Sequence, residues 1–219
     1  MTRRERRSAN DVKRRIAIPS VFPITFAYVP VSFVDDDVVL GPDMLAVGNA
    51  TYYHFGVLSS AMHVAWLCAV DRPKGTEFVY RPERAYNTFA WPQDITDEQR
   101  ERIESAARLV EQTRDSIPGF SFAAHYTVDG MPPALKEAHR VLDEAVFAAY
   151  GLRPGASGPE IVLELKMRYD ELAANAKPDR IVRDRPRHSG LRPSSGGTDP
   201  CDTVDVVRSN TTGADHMVT

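Results

Sequence analysis

The side chains best suited to chemistry lie close together between Asp71 and Tyr86, where Arg72, Lys74, Thr76, Glu77, Arg81 and Arg84 are interleaved with Phe78, Tyr80 and Tyr86. Guanidinium and ammonium groups pair with phosphates or with the guanine edge, and a glutamate accepts from the cytosine amino group. The same composition also makes an ordinary exposed hairpin, so residue types alone leave both readings open. Other constellations carry less. Glu164-Leu165-Lys166 has the Glu-x-Lys of a metal-dependent nuclease, but it falls in a helical pattern where solvated charges are expected. His54 and His63 are not at the i, i+4 spacing of a zinc pair and read as hydrogen-bonded core histidines. Ser59 and Ser60 lack the Gly-x-Ser-x-Gly elbow of a hydrolase, and Gly155-Ala156-Ser157-Gly158 follows no strand and completes no phosphate loop. Neither a catalytic nor a metal-binding set is therefore assigned.

Composition narrows the partners. A formal net charge of -3 over 219 residues excludes a protein that coats nucleic acid, so any contact with it must be a local patch. The two cysteines, Cys68 and Cys201, form no CxxC and suit a reduced, intracellular setting. The basic amino terminus, residues 1–15, is followed by no apolar stretch of signal length, so a cytoplasmic location is expected. Met44 to Val70 contains no Asp, Glu, Lys or Arg. It is nevertheless too polar for a membrane span, since Asn49, Thr51, His54, Ser59, Ser60 and His63 would need partners in hydrocarbon.

The elements that must position these residues follow from periodicity. Phe26–Phe33 and Val38–Val47 read as strands, with Asp35-Asp36-Asp37 a solvated bend between them, and Thr76–Tyr80 as a further strand. Phe55–Val70 reads as one buried helix ended by Asp71-Arg72-Pro73. After Trp91-Pro92 the period changes from two to about 3.6, which predicts three helices. The first opens with a Thr96/Gln99 capping box and carries Ile103, Ala106, Ala107 and Val110. The second begins at Pro132-Pro133, carries Leu135, Ala138, Leu142, Ala145, Val146 and Ala149, and stops at Gly151. The third opens with Ser157 and Glu160 and is expected to bury Ile161, Leu165, Tyr169 and Leu172. The fold class is therefore α+β. Its expected divisions are a basic disordered arm (1–15), a strand-rich domain (16–92), a helical domain (93–175) and a disordered tail (176–219).

Two blocks of text carry a family likeness. Tyr53-His54-Phe55-Gly56-Val57-Leu58-Ser59-Ser60 with Met62-His63 and Ala65-Trp66, then Tyr86-Asn87-Thr88-Phe89-Ala90-Trp91-Pro92, resembles the Mme-type family of bacterial restriction–modification enzymes. Met131-Pro132-Pro133-Ala134-Leu135, with Ala138-His139-Arg140, Asp143, Ala145-Val146 and Ala149-Tyr150-Gly151-Leu152, is similar to the start of the family's carboxy-terminal helical domain. The resemblance covers about residues 16 to 172. It implies that 16–92 is the later part of a target-recognition domain and that the partner is duplex DNA. It also implies that the loop around Lys74 to Glu77 helps to choose the base, with Gly75 and Glu77 at a base-reading pair.

The parent family methylates the exocyclic amine of adenine with S-adenosylmethionine. That chemistry needs a glycine-rich turn and an Asn/Asp-Pro-Pro-aromatic tetrapeptide. Met131-Pro132-Pro133-Ala134 is not such a tetrapeptide, so no cofactor is expected on this chain and the methyl-donor part is expected to be missing. After Ile18-Pro19-Ser20 the sequence also departs from the family, with Phe22-Pro23-Ile24-Thr25 in place of a Ser-Glu-Arg-rich stretch. The leading expectation is a DNA-binding module that transfers no methyl group alone. The alternatives are a specificity subunit for a separately encoded methyltransferase chain, or a nonfunctional truncated remnant.

Overall fold

The run Arg14–Pro19 (β1) lies at the centre of a three-stranded antiparallel sheet between Ser32–Asp35 (β3) and Met44–Val47 (β4), with Ile16 opposite both Phe33 and Val47. Ile16, Ala17 and Ile18 are all buried, as a central strand covered on both faces requires. A second, two-stranded sheet pairs Val21–Pro23 (β2) with Glu77–Val79 (β5), Phe22 opposite Phe78. These features come from a computed structural model, which describes residues 14–175. Of the disordered arm expected over residues 1–15, Arg14 and Arg15 instead open β1, paired with Asp35 and Val34, and the rest lies outside the described residues, as does the tail expected from residue 176.

The expected strand Phe26–Phe33 is displaced to β3, which begins at Ser32 and takes in Asp35 from the expected bend, and Val38–Val47 is shortened to β4. Pro30 has no N–H for a ladder, and Gly41-Pro42 holds back the second strand. The segment before β3 is instead joined to the helical half of the chain. Ala27 donates its N–H to the Tyr126 carbonyl at 2.8 Å, and Val128 donates to the Thr25 carbonyl at 3.0 Å. Phe26, which forms an isolated bridge with Thr127, and Tyr28, Val29 and Val31 are buried there outside the two sheets.

The single buried helix expected over Phe55–Val70 is two, Tyr52–Leu58 (α1) and Ala61–Val70 (α2), bent by 53°. The break has a local cause in two consecutive serines. Ser59 Oγ donates to the Phe55 carbonyl and Ser60 Oγ to the Val57 carbonyl, both at 2.7 Å, so the last carbonyls of α1 are satisfied without continuing the helix. Among the described residues no single helix is long and apolar enough to cross a membrane, and the bent pair is buried within the protein.

A short helix, Pro82–Ala85 (α3), precedes the helical half, which comprises Asp97–Asp115 (α4), Phe122–His125 (α5), Pro133–Ala149 (α6) and Gly158–Asn175 (α7). The Gln99 N–H donates to Thr96 Oγ1 at 3.2 Å and the Thr96 N–H to Gln99 Oε1 at 3.0 Å, closing the expected capping box. Before α7, Glu160 accepts from the Ser157 N–H and hydroxyl and from Arg153, and these donors lower its carboxyl to about 2. Ile161 and Leu165 are buried as expected. Tyr169 and Leu172 are not, at 40% and 42% exposed, because beyond Leu165 the helix runs past the core.

One apolar core joins the strand-rich and helical parts. Gly56 of α1 lies against Ile103 and Ala107 of α4 and Leu142 of α6, so close that an added Cβ would stand 2.7 Å from Ile103 Cγ2. Asp143 of α6 accepts from the Ala61 N–H at the start of α2 (2.7 Å) and from the Tyr28 hydroxyl (2.8 Å). Beside it His139 is fully buried, its Nε2 hydrogen-bonded to the Tyr126 hydroxyl at 2.8 Å and its ring stacked on Tyr28.

Candidate nucleic-acid interface

Lys74 to Glu77 forms a two-residue hairpin turn. The Lys74 N–H donates to the Glu77 carbonyl at 2.8 Å and the Glu77 N–H to the Lys74 carbonyl at 3.3 Å. Gly75, at the first central position, has φ +65, which a side chain would strain. The turn is held from beneath by the strand alternation that points Phe78 and Tyr80 inward. Phe78 packs on Phe22, ring centroids 5.7 Å apart. Phe22, one of the residues at which the sequence departs from the family it resembles, thus serves as a floor for the hairpin. The Tyr80 hydroxyl bonds Nε2 of His63, a fully buried residue of α2, at 2.8 Å. Burial pushes that tyrosine up and holds His63 down at about 3, so both stay neutral.

The sequence-derived residues divide into two groups. Arg72, Lys74, Gly75, Thr76 and Glu77 are brought together, all exposed, around the tip. Arg72, Lys74 and Glu77 have no ion-pair partner among the described residues. Arg81 caps α3 and Arg84 lies within it, at the base of the hairpin, and both converge on Asp71, which ends α2. Its carboxylate is 2.5 Å from Arg81 and 3.6 Å from Arg84. An acid ten residues before its partner shows no helical or strand spacing, so only the folded chain reveals the pair.

Elsewhere most arginines are engaged by neighbouring acids. Arg102 pairs with Glu98, Arg108 with Glu104, Arg140 with Glu137 and Glu144, Arg153 with Glu160, and Arg168 with Glu164. Glu164 therefore serves α7 and not a nuclease centre. Surface pairs of this kind add little stability but do leave less positive charge for a polyanion. At the hairpin tip, cations with no ion-pair partner among the described residues stand beside side chains able to read base edges.

Among the described residues no positive-φ glycine stands between a parallel strand and a helix. Gly75, Gly119, Gly151 and Gly155, the described glycines with positive φ, lie in a hairpin tip or in turns beside helices, and both sheets are antiparallel. A nucleotide-type donor site needs such a glycine between a parallel strand and a helix.

Residues 2–93 match the model of the MmeI target recognition domain, and residues 95–176 match that of the MmeI C-terminal domain. DNA methyltransferase A of Bacillus subtilis (strain 168) is 31% identical over 157 residues, covering 72% of this chain and 18% of that protein. The type IIL restriction–modification enzyme MmeI, solved in complex with DNA, superposes with a TM-score of 0.70 at 29% identity, covering 76% of this chain and 22% of that one. The chain thus spans less than a quarter of the length of either relative.

Proposed function

Because the chain belongs to the MmeI family, carrying its target-recognition domain followed by its C-terminal domain, we propose that it reads DNA sequence for a restriction–modification methyltransferase. The observation that carries this reading is the hairpin at Lys74–Glu77, whose tip is exposed while its floor is fixed by Phe22, Phe78 and the Tyr80–His63 bond. A two-stranded ribbon fits the major groove, which is about 12 Å wide. Glu77 accepts from a cytosine amino group, Thr76 bonds a neighbouring base edge, and Arg72, Lys74 and Arg84 neutralise phosphates. Gly75 leaves the backbone free to approach the bases. The finer reading, supported by the sequence resemblance, is that the base modified within the recognised site is adenine at its exocyclic amine, with S-adenosylmethionine as donor bound outside these residues.

The test is retention of random duplexes by the purified chain at two salt concentrations, followed by sequencing. An enriched motif that changes or weakens in Glu77→Gln supports the reading, whereas a folded sample that enriches nothing refutes an autonomous module. A second reading, in which the chain completes a separately encoded methyltransferase chain, is favoured by Leu163 and Met167. These lie one turn apart on α7 and are each more than half exposed, as a surface awaiting a partner would be. Co-purification with a methyltransferase chain distinguishes the two.

A further inference from the structure

Asp71 is only 4% exposed beneath the hairpin, and the cations paired with it are Arg81 and Arg84. A carboxylate withdrawn from water is costly unless countercharged, so its position dictates where those guanidinium groups stay. That position is itself fixed. Asp71 caps the buried helix α2, its N–H donating to the Leu67 carbonyl at 2.9 Å. The contact uses one nitrogen of Arg81, Nη1, at 2.5 and 2.6 Å from the two carboxylate oxygens. The other guanidinium nitrogens of Arg81 make no hydrogen bond to the described residues, and its side chain is 43% exposed, that of Arg84 60%. Asp71 enters the loop and Arg81 leaves it, so the pair closes residues 72–80 at their neck.

The geometry points to Asp71 as a positioning residue for DNA recognition. It buttresses Arg81 and Arg84 from behind, holding their exposed N–H groups at the base of the hairpin and clamping the hairpin there. This rests on the reading of the chain as a DNA-recognition module. Without the buttress, both arginines must be ordered on binding, which weakens contacts that depend on geometry. The lost negative charge meanwhile strengthens attraction to any phosphate. Specific and nonspecific binding therefore move in opposite directions, whereas damage to the fold alone lowers both.

The full chain is compared with Asp71→Asn, Asp71→Glu and Arg81→Lys. The readouts are the ratio of affinity for the selected duplex to that for random duplex at two salt concentrations, thermal melting, and hydrogen exchange of the Lys74 and Glu77 amides. Arg81→Lys keeps the charge but removes the outward guanidinium edge. Expected are folded variants in which Asp71→Asn and Arg81→Lys lower the ratio by about tenfold or more. Asp71→Asn also binds random duplex more tightly at low salt, Asp71→Glu restores much of the ratio, and amide exchange quickens in Asp71→Asn. If Asp71→Asn does not fold, Arg81→Lys decides. Unchanged ratios in folded variants of a chain that does select DNA overturn the buttress and leave the recognition reading intact. If the native chain selects nothing, the recognition reading falls and the buttress falls with it; amide exchange then tells only whether Asp71 clamps the hairpin.

Discussion

Lowering the pH from 7.5 to 5 is expected to destabilise the protein through two histidines that carry no charge in the fold. His63 and His139 are completely buried, and desolvation lowers both to about 3, Arg114 adding to the effect at His139. In the unfolded chain each regains an ordinary value of about 6.5. Below that value the unfolded state binds protons that the folded state refuses, so stability is fully present above pH 6.5 and falls as pH drops towards 3. At pH 5 the gap is about 1.5 pH units, worth about 2 kcal/mol per histidine and about 4 kcal/mol for the pair. That is a large share of the 5–15 kcal/mol, roughly, of a typical domain. His54, half-buried and lowered by desolvation and by Arg100, acts in the same direction. The window lies above the carboxylate range, which isolates the histidines. Urea unfolding at pH 7.5, 6.5, 5.8 and 5.0 measures the slope, and His139→Gln should remove about half of it. A midpoint that stays level down to pH 5 would refute the argument, as would a His139→Gln slope equal to that of the native chain. Since His63 bonds Tyr80 under the hairpin, DNA binding should weaken over the same range.

Gly56→Ala inserts a methyl 2.7 Å from Ile103 Cγ2 in the three-helix contact. Overpacking should outweigh the gain in helix propensity for a net loss of about 1–2 kcal/mol, read by urea unfolding. Asp143→Ala removes the carboxylate that accepts from the Ala61 N–H and the Tyr28 hydroxyl. Its expected cost is about 2–4 kcal/mol, seen as a lowered melting temperature. Lys74→Ala should weaken DNA binding nearly uniformly across sequences, reducing the slope of log affinity against log salt by about 1.

Where the sequence could be read, local chemistry was decisive. Thr96 with Gln99 and Ser157 with Glu160 announce helix starts that need no tertiary help, and Pro133 and Gly151 bound α6 for equally local reasons. The segment Arg72 to Glu77 stood out in the sequence as a cluster of charged and polar side chains among aromatics, and its exposure in a tight turn comes from the fold. What escaped depended on partners distant in sequence. The break at Ser59-Ser60 follows from hydroxyls turned back on α1, and Tyr169 and Leu172 lie on an apolar stripe that outruns the core available to it. Arg114 gives the same lesson. It lies buried on α4, bonded to the Val31 carbonyl at 2.7 Å and stacked over Phe55, which no helical period announces. The arginine base of the hairpin was visible as composition, but Asp71, which organises it, was not.

The seating of α1 between α4 and α6 bears on how such proteins could exchange what they read. A crossover near residue 94, where the two family matches divide, would place Gly56 and its neighbours against a foreign Ile103 and Leu142, rebuilding half a core in one step. Residues 72–79 between Asp71 and Tyr80 carry one buried side chain, Phe78. A graft of that segment that keeps Phe78 inherits an intact scaffold, so the tip can vary by short replacements while the interior stays under its own, separate constraint.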